Sequence, residues 1–164
     1  MADLANVEMG ACAVSVGGTD VGHTSGPVVL RIEPIWRPRR EEKYGESAVD
    51  HVYLGSVVTV TARFEEKTLA NLLRALPHGL DGGTYLGEGR TPGQRMGSLA
   101  AQLTLRPLEA ADASRDVILH RAAARGPFQL EFQEGRERSF EVVFVGLVDT
   151  DKQDGELIAR LNQA

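Results

Sequence analysis

The chain has 164 residues, enough for one domain with a substantial buried core. Its formal charge of −5 argues against tight nucleic-acid binding, because that affinity comes mostly from Lys and Arg displacing phosphate counterions. With 42% hydrophobic, 25% charged and only 5% aromatic residues, it suits a Val-, Leu- and Ala-rich β core better than an aromatic-lined ligand pocket.

Cys12 is the single cysteine, so neither an internal disulfide nor a thiolate metal cluster can form within one chain. Its neighbours Ala11, Ala13 and Val14 mark it as a small buried apolar residue. No run has the length of a membrane span, and Asp3 and Glu8 stand where a secretory leader would be basic and then apolar. The expectation is a protein kept in a reducing cytoplasm.

In chain order, residues 7–16 read as a strand buried on both sides, and Gly17, Gly18 and Asp20 as a tight turn. From Val28 the pattern has period two, with Val28, Leu30 and Ile32 opposite Arg31 and Glu33. Pro34 and Pro38 are expected to stop pairing, which makes residues 34–47 an extended charged loop. Strand character returns at Val49, Val52 and Tyr53, with Gly55 as a break or bulge. Val58, Val60, Ala62 and Phe64 then share one face, opposite Thr59, Thr61 and Arg63. Leu69, Leu72, Leu73 and Leu76 follow at i, i+3, i+4 and i+7, the stripe of an amphipathic helix that Pro77 and Gly79 end.

Residues 80–97 form a glycine-rich loop. Leu99, Ala101, Leu103 and Leu105 predict a half-buried strand, and residues 117–124 another. Phe128, Leu130 and Phe132 predict one arm of a closing hairpin, with its turn at 134–137 and its return over 140–148. Residues 155–161 end the chain as a short strand or helical turn. No repeat or linker divides it, so residues 1–164 are expected to be one domain.

Catalytic signals are weak. His23, His51, His78 and His120 lack metal-ligand spacing, and no Gly-x-Ser-x-Gly nucleophile elbow is present. The glycines of 82–89 are not followed by the Gly-Lys-Ser/Thr of a phosphate loop, and Asp149, Asp151 and Asp154 do not fit a calcium loop. The residues predict no enzyme, no cofactor and no metal. The charged segment 34–47 is the sharper object. Ordering it costs roughly 1–2 kcal/mol per residue, a cost that a partner surface would offset. Trp36 and Tyr44 are the aromatic anchors such a contact needs, and Arg37, Arg39, Arg40, Glu41, Glu42 and Lys43 would set its register.

Two stretches carry a resemblance. VEMGACAVSVGGTDVGHTSGPVVLRIE, residues 7–33, resembles the opening hairpin of the major tail tube proteins of long-tailed, siphovirus-like bacteriophages. HRAAARGPFQLEFQEGRERSFEVVFVGLVDTDKQDGEL, residues 120–157, resembles that family's closing strands, and the helix after Phe64 sits where the family has its single helix. The resemblance implies a mainly β, sandwich- or barrel-like domain with one flanking α-helix, closing into hexameric rings that stack into a tube. It implies that segment 34–47 bridges stacked rings and that Arg31, Glu33, Thr59, Thr61 and Arg63 face the lumen or a ring surface.

The implied partners are further copies of the chain, a tape measure protein, and terminator and baseplate or tip proteins. DNA would pass through the lumen without specific binding, no membrane would be involved, and the protein would be assembled in the host cytoplasm and end in the virion tail. Related alternatives are the tube protein of a contractile or type VI secretion device, and a tail terminator or connector.

Overall fold

The computed structural model describes residues 11–76, 93–109, 113–130, 139–152 and 158–161. Among them run β1 (Cys12–Val16), β2 (Thr19–Asp20), β3 (Val29–Arg40), β4 (Ala48–Phe64), α1 (Leu69–Ala75), β5 (Ala101–Pro107), β6 (Val117–Ala124), β7 (Phe140–Leu147) and β8 (Ala159–Leu161). All the strands belong to one antiparallel sheet in the order β2-β1-β5-β6-β7-β4-β3, with β8 alongside β6. Among the described residues the chain is thus mainly β with one α-helix, as its patterning predicts. The described strands make a single continuous sheet rather than two separate layers.

That sheet curls around one core. Val14 and Val16 of β1 share a buried cluster with Val58, Val60 and Phe64 of β4, Leu103 and Leu105 of β5, and Phe140 and Phe144 of β7. Phe64 meets Phe140 edge-on with 5.6 Å between ring centroids, a geometry that aligns ring edge with ring face. Four residues of β4 expected on one face, Val58, Val60, Ala62 and Phe64, are all buried.

One corner ties the two ends of the sheet together. β1 turns into β2 through Gly17 and Gly18, both at positive φ (60° and 78°), the pair a two-residue hairpin turn requires. The chain then hydrogen-bonds to both sides. Val21 N–H donates to the Val14 carbonyl at 2.9 Å, Ser25 N–H to the Arg63 carbonyl at 2.9 Å, and Glu65 N–H to the His23 carbonyl at 3.0 Å. Glu66 reaches back, its Oε1 accepting from His23 N–H at 3.1 Å. Gly22, at φ 80°, lies so close to the Glu66 carboxylate that a Cβ there would collide with it.

The helix differs from its expectation. α1 has seven residues, and its buried positions are Asn71 and Ala75, while Leu69 of the leucine stripe is 49% exposed. The reason is polar. Asn71 Nδ2 donates to the Val21 carbonyl at 2.7 Å and the Glu66 carbonyl at 3.0 Å, and its Oδ1 accepts from Arg74 at 2.7 Å. These bonds turn the 71/75 face inward, with Leu72 beside it against the core. Thr68 caps the helix start by accepting from Asn71 N–H at 3.2 Å.

Other boundaries shift. Leu99 closes a 3-10 turn, Met96–Leu99, and β5 begins after it and runs through Pro107, which pairs with Cys12. Leu130 forms an isolated bridge with Phe140. The expected hairpin turn at 134–137, Pro77 and Gly79, residues 80–92 of the glycine-rich segment, and residues 1–10 lie outside the described residues. The final segment is strand at Ala159–Leu161.

The largest correction concerns residues 34–47. They are not a loop: β3 continues paired through Pro34 and Pro38 to Arg40, and β4 starts at Ala48. The connection is residues 41–47, with a 3-10 turn at Glu42–Tyr44. Proline is compatible with a strand at a sheet edge, where the missing N–H points to solvent, and β3 is the last strand of the sheet.

Candidate functional site

The hairpin of β3 and β4 outgrows the body. β7 pairs with β4 only from Thr59 to Phe64, whereas β3 follows β4 from Thr61 out to Ala48. Every residue from Arg31 to Leu54 is exposed. The result is a two-stranded arm with no described element over either face.

Its shaft is apolar where solvent would favour polar side chains. Ile32, Pro34, Trp36 and Tyr53 continue the face on which Val58 and Val60 enter the core. Ile35, Val52 and Val57 lie on the opposite face. A bulge sorts these faces. Ile35 opposes Gly55 but Trp36 opposes Tyr53, so Leu54 is an extra residue on β4. Gly55 takes φ 135°, open to glycine and strained for other residues. Without that extra residue Leu54 would face Trp36. With it, the Trp36 and Tyr53 rings pack edge to face at 5.3 Å, and the Tyr53 and Ser56 hydroxyls share a 2.5 Å hydrogen bond.

The tip is charged. Arg37, Arg39 and Arg40 stand on β3, followed by Glu41, Glu42 and Lys43 in the connection. Arg40 pairs with Glu46 at 2.7 Å, and Lys43 Nζ lies 5.5 Å from the centre of the Tyr44 ring. The eight residues expected to form an interface, Trp36, Arg37, Arg39, Arg40, Glu41, Glu42, Lys43 and Tyr44, are therefore all on the outer arm and all exposed. The sequence pattern did not single out Ile32, Ile35, Val52, Tyr53, Leu54 and Val57 as part of the same surface. Their signal was the period-two pattern from Val28, which continues past Pro34 once the prolines are allowed an edge.

The five residues expected on a lumen or ring surface also fall together. Arg31 opposes Thr59, Thr61 opposes Val29, and Arg63 opposes Glu141, all on the sheet face away from the core. Charges pair within that face: Arg31 with Glu33, and Arg63 with Glu141 at 3.9 Å.

Elsewhere, a hollow of about 170 Å³ between α1 and the sheet is lined by Leu73, Leu99, Ala101, Ala122 and Phe144 among others, with Arg74 as its charged member. Arg74 already donates to Asn71. Among the described residues, no group of three or more His, Cys, Asp or Glu is placed to hold a metal ion, and no helix is long and apolar enough to cross a membrane. Compared with known proteins, the chain matches no family model and no curated sequence.

Proposed function

We propose that this protein is a tail tube subunit of a long-tailed bacteriophage, six copies closing into a ring and rings stacking into a conduit for DNA. The observation that carries the reading is the arm, a paired hairpin with apolar residues on both faces of its shaft and charges of both signs at its tip. In a solitary molecule such a shaft loses the stabilisation of burial, about 25 cal/mol per Å² of apolar surface. Contact with neighbouring copies recovers it, and the tip charges select the register.

The polar face of β3, β4 and β7 supports the conduit. Its basic side chains are neutralised by Glu33 and Glu141, so it offers DNA little net attraction, as a passage that must release its cargo requires. Tape measure, terminator and baseplate proteins are the partners this role entails.

The experiment is electron microscopy and light scattering of the concentrated chain, beside a variant in which residues 38–51 are replaced by Asn-Gly. That dipeptide would join Arg37 to Val52, register partners whose backbones face each other. Rings or tubes from the full chain, lost in the shortened one with its far-UV spectrum preserved, support the proposal. A full chain that stays monomeric at every concentration overturns it.

A further inference from the structure

The two long edges of the arm are not equivalent. The Arg63 carbonyl and the Glu65 N–H both bond toward the side of β4 that β3 occupies. Backbone groups alternate along a strand, so Thr61, Thr59 and Val57 point that way too, and their partners Val29, Arg31 and Glu33 point back. Leu30, Ile32, Pro34, Trp36, Pro38 and Arg40 therefore turn their backbone outward, to the free edge of β3. Two of those six positions are prolines without an N–H, a device that closes an edge to further pairing.

β4 has no such block. Among the described residues, nothing pairs with its other edge from Ala48 to Val57, and that stretch contains no proline. His51 N–H, opposite Pro38, donates to the carboxylate of the preceding Asp50 at 2.7 Å and not to β3, so its backbone faces the outer edge of β4.

We infer that β4 is a strand-addition edge and that its occupant is β4 of a second copy, laid antiparallel across a two-fold axis. Two observations select that occupant. An added strand meets apolar side chains on both faces of the arm, so it must itself be apolar on both faces, and AVDHVYLGSVV is such a segment. Asp50 is the sole Asp, Glu, Lys or Arg between Ala48 and Val58, and His51 stands beside it, so two copies meet with little like-charge opposition. β3 paired with itself about its outer half would set Arg37, Arg39 and Arg40 against one another. The product is a four-stranded β3-β4-β4-β3 ribbon, an isologous contact that closes on itself and grows no further. It goes beyond the ring and tube proposed above: it covers the arm in solution and must part before a head-to-tail ring forms.

The test is sedimentation or light scattering of the purified chain across concentration, joined to amide hydrogen exchange. A dimer is expected, with the outward amides of Tyr53 and Ser56 exchanging at least tenfold more slowly at high than at low concentration, and those of Ile32 and Trp36 unchanged. His51→Pro, which costs no bond to β3, should shift the chain to the monomer mass at the same concentration, whereas Ile32→Pro should leave the dimer. Dimerisation without slowed exchange on β4, or a dimer that survives His51→Pro, overturns the inference while leaving tube formation standing. A chain monomeric throughout overturns both. Open-ended oligomers protected along β4 overturn the two-fold pairing alone.

Discussion

Trp36 and Tyr53 pack edge to face at 5.3 Å on a surface where each residue is 53% exposed. Their contact exists because the extra residue Leu54 brings Tyr53 to the side of β4 that continues the core. An aromatic pair held in place yet uncovered is an anchor of the kind that concentrates binding energy at interfaces.

Trp36 is the chain's one tryptophan, so its fluorescence reports on the arm alone. On self-association its emission should move to shorter wavelength and become less accessible to acrylamide. Trp36→Ala should change the unfolding free energy of the isolated chain by about 1 kcal/mol or less, as expected of an exposed site. The same change should weaken association at least tenfold; equal association by the variant would remove the anchor role.

Gly55→Ala tests the bulge. At φ 135° an alanine is strained although nothing crowds the site, so the cost is conformational, of order 1–3 kcal/mol. The strand should lower that cost by rearranging the bulge, separating Trp36 from Tyr53. NMR contacts between the two rings should vanish while core resonances of Phe64 and Phe144 persist.

The core was legible because burial imposes strict periods: Val58, Val60, Ala62 and Phe64 had to share a face, and they do. The turn at Gly17 and Gly18 was legible because few residues tolerate positive φ. The arm was not, since a proline forbids only one direction of hydrogen bonding, and sequence does not say which strand is at an edge. The helix face was hidden for a related reason. Its leucine stripe obeys the helical period, but Asn71 meets the Val21 and Glu66 carbonyls through folding of the corner, 50 residues from Val21 in sequence.

Asn71→Ala should therefore cost more than any single leucine of α1. It leaves the buried Val21 carbonyl without its donor and frees Arg74, a loss of about 2–3 kcal/mol in urea unfolding. Leu69→Ala should cost well under 1 kcal/mol, because Leu69 is half exposed. The reverse ranking would mean that the leucine stripe, not the amide, holds the helix.

Asp116 is 2% exposed and accepts a two-pronged contact from Arg106, Nε to Oδ1 at 2.9 Å and Nη2 to Oδ2 at 2.6 Å. Removing Arg106 strands a buried carboxylate, whereas Asp116→Asn keeps the shape and lowers the charge that needs a partner. Arg106→Ala should thus be the more damaging change, by about 1–2 kcal/mol, after allowance for an arginine that is itself half exposed.

Cys12 is half buried on β1, and burial pushes its thiol above the ordinary value of 9.0, with a backbone hydrogen bond opposing part of the rise. A raised acid favours the protonated form in the fold. Its contribution is accordingly constant at neutral pH and lost as the pH climbs past 9.0, where the unfolded chain ionises first. Two measurements follow. Iodoacetamide at pH 8 should modify the native thiol more slowly than the urea-unfolded one, since the thiolate is the nucleophile. Between pH 8 and 10 the stability of the native chain should fall relative to Cys12→Ser, which has no group titrating there. A parallel decline in both proteins would assign the loss to other residues.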